Sequence, residues 1–172
     1  MTLEGCMRNI GDRVVYGVNG VMEIVDIREE SIGDVSRSYY VLGNLCSRSD
    51  SLTFVPTDNE KLVSAMRPLL TRDEAMELVR QSANPPAIDW IASNRARGEY
   101  FKKIMESGDR LQIFAMIAAI DESGRRREAE GKKNFLTDET ARAKAERLLH
   151  SELSLVFDLP IEEIPEFIEK NR

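Results

Sequence analysis

The chain has 172 residues, 42% of them apolar and 31% charged, with a net charge of −6. That length allows one ordinary domain or two small ones, and that composition excludes wholesale disorder. No apolar run approaches the ~20 residues of a membrane-spanning helix, and the N-terminus lacks the basic-then-apolar pattern of a secretory signal. A cytoplasmic protein is the expectation.

Residues 13–17 (RVVYG) and 21–29 (VMEIVDIRE) are rich in β-branched and aromatic side chains, with Val18, Asn19 and Gly20 between them. Asn-Gly between two such runs predicts a hairpin with a type I′ turn, because both residues tolerate positive φ. In the second run Val21, Glu23, Val25 and Ile27 alternate with Met22, Ile24, Asp26 and Arg28. Neither set is purely apolar, which points to a sheet edge or a bend. A turn at Gly33-Asp34, strands at 37–43 (RSYYVLG) and 52–56 (LTFVP), and a polar loop at 44–51 follow. Short strands joined by tight turns predict a small twisted barrel of the SH3 or Tudor kind.

From residue 71 the period becomes helical. Thr71, Arg72, Asp73 and Glu74 form a capping box opening a helix to about Gln81, with Ala75, Leu78 and Val79 on its apolar face. Asn84, Pro85 and Pro86 break it, and the next helix is expected from Pro86 to about Glu106. Ser107, Gly108 and Asp109 supply its stop and the cap of a third helix, whose stripe is Leu111, Phe114, Ala115, Ile117 and Ala118. That helix is expected to dissolve into 124–133 (GRRREAEGKK). A fourth starts at Thr137 and Asp138, with Ala141, Ala145, Leu148, Leu149, Glu152 and Val156 at helical spacing. Pro160 opens a short terminal helix bearing Ile164, Phe167 and Ile168. The expected class is α+β: a small Tudor/SH3-like β-barrel at 1–60, a connecting helix and linker at 61–85, and a C-terminal α-helical bundle at 86–172.

No chemistry-bearing constellation emerges. The sequence lacks GxSxG, HExxH and phosphate-cradling glycine loops. Its one histidine, His150, lies beside Leu149 and Leu153 and suits packing. Cys6 and Cys46 form no CxxC pair and with one histidine cannot build a four-ligand zinc site. A disulfide between them would be out of place in a reducing cytosol. We expect no enzyme, no cofactor and no small-molecule substrate.

Charge is unevenly spread. Residues 1–80 hold 9 basic and 13 acidic side chains, 90–135 hold 10 and 7, and 136–172 hold 5 and 9. A chain that gripped DNA unaided would be basic, since phosphate neutralisation supplies the affinity. Any DNA contact here is therefore local, with a second partner supplying most of the binding.

One pattern stands out: Gly11, Asp12, Arg13, Val14, Val15 and Tyr16, then Asn19, Gly20 and Val21, with Tyr39, Tyr40, Val41, Leu42, Val55 and Pro56 downstream. It resembles the N-terminal polymerase-binding module of the CarD/CdnL family, shared with the bacterial transcription-repair coupling factor. Residues 90–109 (WIASNRARGEYFKKIMESGD), the apolar helix after them and residues 145–155 resemble that family's helical domain. The resemblance implies a Tudor-like domain on the RNA polymerase β subunit and a helical domain at the upstream fork of melted promoter DNA. There it stabilises the open complex without reading sequence.

Trp90 matches the family's wedge residue, placed here one helical turn further from the Ser-Gly-Asp turn than in shorter members. An indole can stack at an unstacked base step; equally, a lone Trp in a helical domain can pack in the core. Arg95, Arg97 and Lys102, with Lys103, would meet phosphates or simply cover a solvated face. Arg125 and Arg126, with Arg127, Lys132 and Lys133, form the densest basic run, for DNA or for a helix C-terminus. On the barrel, Arg28, Arg37 and Arg48 are the candidate polymerase contacts. The rival expectation is an adaptor that holds polymerase and recruits another protein instead of DNA.

Overall fold

A computed structural model describes residues 8–32, 35–45 and 51–172. The Gly33-Asp34 turn, Cys6, Cys46 and most of the polar loop, Arg48 included, lie outside the described residues. The chain forms two compact units, Met1–Leu69 and Leu70–Arg172. Their boundary falls inside the 61–85 span read as a connecting helix and linker.

The first unit is an antiparallel sheet of β1 (Arg13–Tyr16), β2 (Val21–Ile32), β3 (Val35–Asn44), β4 (Leu52–Pro56) and β5 (Met66–Pro68), in the order β4-β3-β2-β1-β5. The α+β class is as expected, but the sheet is open, with β4 and β5 at its edges, so the expected barrel is not closed. Between those edges the chain runs through α1 (Glu60–Ser64), capped by the Asn59 side chain. Leu62 and Val63 of α1 pack on a core of Val14, Met22, Ile24, Leu42, Val55 and Met66. A short helix thus covers apolar surface that a closed barrel would bury with strand pairing.

The β1–β2 hairpin forms at the expected place through a different turn. The residues Gly17–Asn19 make a 3-10 turn, closed by Tyr16 N–H donating to Gly20 C=O. The positive φ angles fall on Gly17 (51°) and Gly20 (76°), not on Asn19. The connection is therefore two residues longer than a type I′ turn, with a glycine at each end to absorb the left-handed backbone. The mixed faces of β2 also have a structural cause: the register to β3 shifts between Ile24 and Asp26, a bulge that leaves Val25 unpaired. A Cβ on Gly43 would lie 3.1 Å from Val25 Cγ1, so the missing side chain at 43 makes room for the bulge.

The second unit contains α2 (Arg72–Gln81), α3 (Asn94–Ser107), α4 (Arg110–Ala129), α5 (Leu136–Phe157) and α6 (Ile164–Asn171). The capping box of α2 is present: Thr71 Oγ1 accepts from Glu74 N–H, and Glu74 accepts from Thr71 N–H. The Thr71 N–H and the Thr71 hydroxyl, both donating to the Glu74 carboxylate, hold it below its ordinary pKa. Gly108 at φ 69° ends α3, and Asp109 caps α4 by accepting from Leu111 and Gln112 N–H, as the Ser-Gly-Asp pattern predicts.

Two expectations are corrected. The helix expected from Pro86 begins only at Asn94, with Ser93 as its cap, so residues 83–93 form an irregular approach segment and Trp90 sits on it. Pro85 and Pro86 lack N–H donors, and Ser93 accepts from Ala96 N–H, which sets the start. At the other end, α4 does not dissolve at Gly124 but runs on to Ala129, and Gly131 at φ 70° follows. Arg, Glu and Ala are good helix formers that carry the helix past one glycine. Gly124 has its own reason: an added Cβ would crowd Asn134 Nδ2 at 3.3 Å.

Two apolar clusters hold the unit. Phe101, Ile104, Met105, Ile113, Met116, Ile120, Ala145 and Leu149 join α3, α4 and the middle of α5. Ala75, Val79, Leu153, Phe157, Ile164 and Ile168 join α2, the end of α5 and α6. Phe114 packs against both. Among the described residues no helix is long and apolar enough to cross a membrane.

Candidate functional site

Directly opposed residues of an antiparallel sheet share a face. The register pairs Arg28 with Tyr39 and Tyr39 with Pro56, and it pairs Asp26 with Val41 and Val41 with Phe54. One face of β2, β3 and β4 therefore carries Asp26, Arg28, Tyr39, Val41 and Phe54. Phe54 stands edge-on to Tyr39, ring centroids 6.3 Å apart. Val41 is fully buried beneath its neighbours on this face, while Phe54 is 42% exposed and Leu52, two residues earlier on β4, is 48% exposed. Arg28 pairs with Asp26 at 3.0 Å and Arg37 with Asp58 at 3.2 Å, both in solvent. Such exposed pairs are worth little and leave the arginines available to a partner. Phe54 and Leu52, exposed on this face, are not among the candidates read from the sequence. Their alternation with Thr53 and Val55 is the signal that could have found them.

In the helical unit the centre of the site is Arg97, and its expected role as a phosphate contact is corrected. Arg97 is 1% exposed. Its Nε donates to Asp138 Oδ1 at 3.0 Å and its Nη2 to Asp138 Oδ2 at 2.7 Å, a two-pronged pair. Nη2 also donates to Asn94 Oδ1 at 2.8 Å, and Nη1 to the carbonyls of Ile91 at 2.7 Å and Ala92 at 3.3 Å. All the N–H donors of a guanidinium are thereby occupied, and no phosphate can reach it. The helical wheel carries the missed signal: Arg97 lies four residues before Phe101 and seven before Ile104, on the apolar face of α3.

The same guanidinium lies over two rings, 4.5 Å from the Trp90 centroid and 5.2 Å from that of Phe135. Arg127 lies over Phe135 at 3.8 Å and donates to the Lys133 carbonyl. Trp90, Arg97, Phe135 and Arg127 thus form one alternating series of rings and cations. Trp90 also packs 6.2 Å from Phe101, yet remains 37% exposed, so the indole is both anchored and presented.

The other basic candidates lie outside this series. Arg95 and Lys102 are exposed, seven residues apart on one face of α3, with Lys102 within 3.9 Å of Glu106. Arg126 pairs with Glu122 at 3.1 Å along α4. Arg125 and Arg127, with Asn134, Phe135 and Glu139, line an open cleft of about 450 Å³. His150 is partly buried, and that burial together with the charge of Arg142 lowers its pKa, favouring the neutral ring. Among the described residues no cluster of three or more His, Cys, Asp or Glu could hold a metal ion.

A family profile, that of the CarD-like/TRCF RID domain, matches residues 9–70. Over residues 9–70 the chain is similar to a CarD-like/TRCF RID domain. The match spans the sheet unit from the residues preceding β1 to the end of β5, and the expected family relation holds over it. RID domains bind RNA polymerase through its β subunit and are interaction domains, not catalytic ones. The α1–β5 segment, unforeseen from periodicity, belongs to the RID domain and completes its core through Leu62, Val63 and Met66. No curated protein matches the chain.

Proposed function

We propose that the chain regulates transcription initiation by docking its RID domain on the polymerase β subunit and stabilising the open promoter complex through its helical unit. The contact is with the upstream fork of melted DNA and does not read sequence. The observation that carries this reading is an anchored, part-exposed Trp90 in a chain whose other unit is a polymerase-interaction domain. A large ring held at the surface can stack at an unstacked step. Arg95 and Lys102, exposed on α3, meet phosphates, and Arg125 and Arg126 form a second phosphate contact. On the RID side, Arg28 and Arg37 are the polymerase contacts on the strands, with Tyr39 and Phe54 on the same face as Arg28, and Arg48, outside the described residues, is a third. The protein works as a binding factor in the cytoplasm, at the nucleoid, without cofactor or small-molecule substrate.

With a net charge of −6 the chain cannot hold duplex DNA by phosphate neutralisation alone. It need not. A contribution of ~1–2 kcal/mol to the open complex shifts its population about five- to thirtyfold. With purified polymerase, Trp90→Ala is expected to shorten open-complex lifetime about fivefold or more while polymerase binding persists. The acidic balance of residues 136–172, with 9 acidic against 5 basic side chains, favours a second reading in which the helical unit recruits a protein. An open-complex lifetime unchanged by Trp90→Ala decides for that adaptor.

A further inference from the structure

We infer that Arg97 is a positioning residue for Trp90: anchored by Asp138, it fixes both the backbone and the ring plane of the segment that presents the indole. This rests on the reading that Trp90 meets DNA, but the positioning itself belongs to the free protein. Residues 83–93 carry no regular secondary structure, so helix or sheet hydrogen bonding does not set the rotamer and position of Trp90. Two groups do. The Arg97 guanidinium donates to the carbonyls of Ile91 and Ala92, the two residues directly after Trp90, and lies 4.5 Å over the indole. Phe101 backs the indole at 6.2 Å.

Asp138 takes two of the guanidinium's donors from the first turn of α5, forty-one residues away. It thereby fixes the rotation of the guanidinium plane. Asn94 Oδ1 fixes a third donor from the start of α3. The guanidinium touches the Trp90 ring, its backbone neighbours and two helices at once. A lysine at 97 could pair with Asp138 through a point charge. It could not lie flat on the indole while donating to two carbonyls, an amide and a carboxylate. A rigid ring held in its bound geometry loses less freedom on binding, so weak contacts suffice.

Trp90 is the sole tryptophan of the chain, so intrinsic fluorescence of the full-length protein reports on it alone. Three variants separate positioning from mere stability. Arg97→Lys keeps the charge and loses the planar fork. Phe135→Leu keeps the Arg97–Asp138 pair and removes one ring under the guanidinium. Glu152→Gln weakens the other buried ion pair, Arg110–Glu152, which does not touch Trp90. Acrylamide quenching of Trp90 is expected to rise about twofold in Arg97→Lys, by a smaller factor in Phe135→Leu, and not at all in Glu152→Gln. Open-complex lifetime should fall in the same order.

Unchanged quenching in whichever of the first two variants keeps its far-UV circular dichroism overturns the positioning role. Equal rises in all three overturn it as well, because that is the signature of general loosening. Raised quenching with a lifetime that no Trp90 variant alters leaves the positioning role standing and overturns the DNA-contact reading alone.

Discussion

Replacing Asp138 by alanine is expected to destabilise the helical unit by about 3–5 kcal/mol, the usual result of stripping one partner from a buried ion pair. The cost comes from what remains. Arg97 is 1% exposed and cannot swing to water, so two of its donors are left in an apolar setting beside Trp90 and Phe135. Against a total stability of about 5–15 kcal/mol for a unit of this size, the loss should appear as a large drop in the urea midpoint. Two comparisons test the mechanism. Glu152→Ala should cost less, because its partner Arg110 keeps 19% of its side chain exposed and can find water. Replacing both members together, Arg97→Met with Asp138→Leu, should recover much of the stability while abolishing the Trp90 geometry. An Asp138→Ala protein with an unchanged midpoint would mean that the pair does not organise α3 and α5.

Leu42→Ala is expected to remove polymerase association through the fold of the RID domain and not through its surface. Leu42 is fully buried, paired across from Ile24 on β2 and Thr53 on β4, at the centre of the sheet's core. Truncating such a residue costs about 2–5 kcal/mol. A domain of this size has only about 3–9 kcal/mol to lose at typical stability per residue. The variant therefore stands near its unfolding threshold at 37 °C, while the helical unit keeps its circular dichroism. Ile24→Val, at about 0.5–1.5 kcal/mol, should stay folded and still associate. Limited proteolysis alongside polymerase capture checks both. A Leu42→Ala chain that is cut within the sheet yet binds polymerase normally would place docking elsewhere.

The residues differ in how much of this they reveal by local pattern. The capping box at Thr71, the Gly108 stop and the Asp109 cap are each written within four residues, and each is found as read. The four longer strands are equally plain from β-branched runs. What local pattern hides is pairing at a distance. β5 has three residues, ends in Pro68, and is a strand only because β1 offers it a ladder. The bulge at Val25 turns on the absence of a side chain at Gly43, eighteen positions on. The Pro85-Pro86 start signal predicts a helix through Trp90, and the Ser93 cap overrides it by starting α3 at Asn94. Arg97 shows the same limit at the site itself. Charge argued for solvent, the helical period argued for burial, and Asp138 decided between them from another helix.

Docking through the RID domain is tested most directly by binding of the 172-residue chain to purified RNA polymerase in physiological salt, compared with residues 70–172 alone. Saturable binding by the full chain and none by the helical unit is expected. Equal binding by both, or by neither, would contradict that docking.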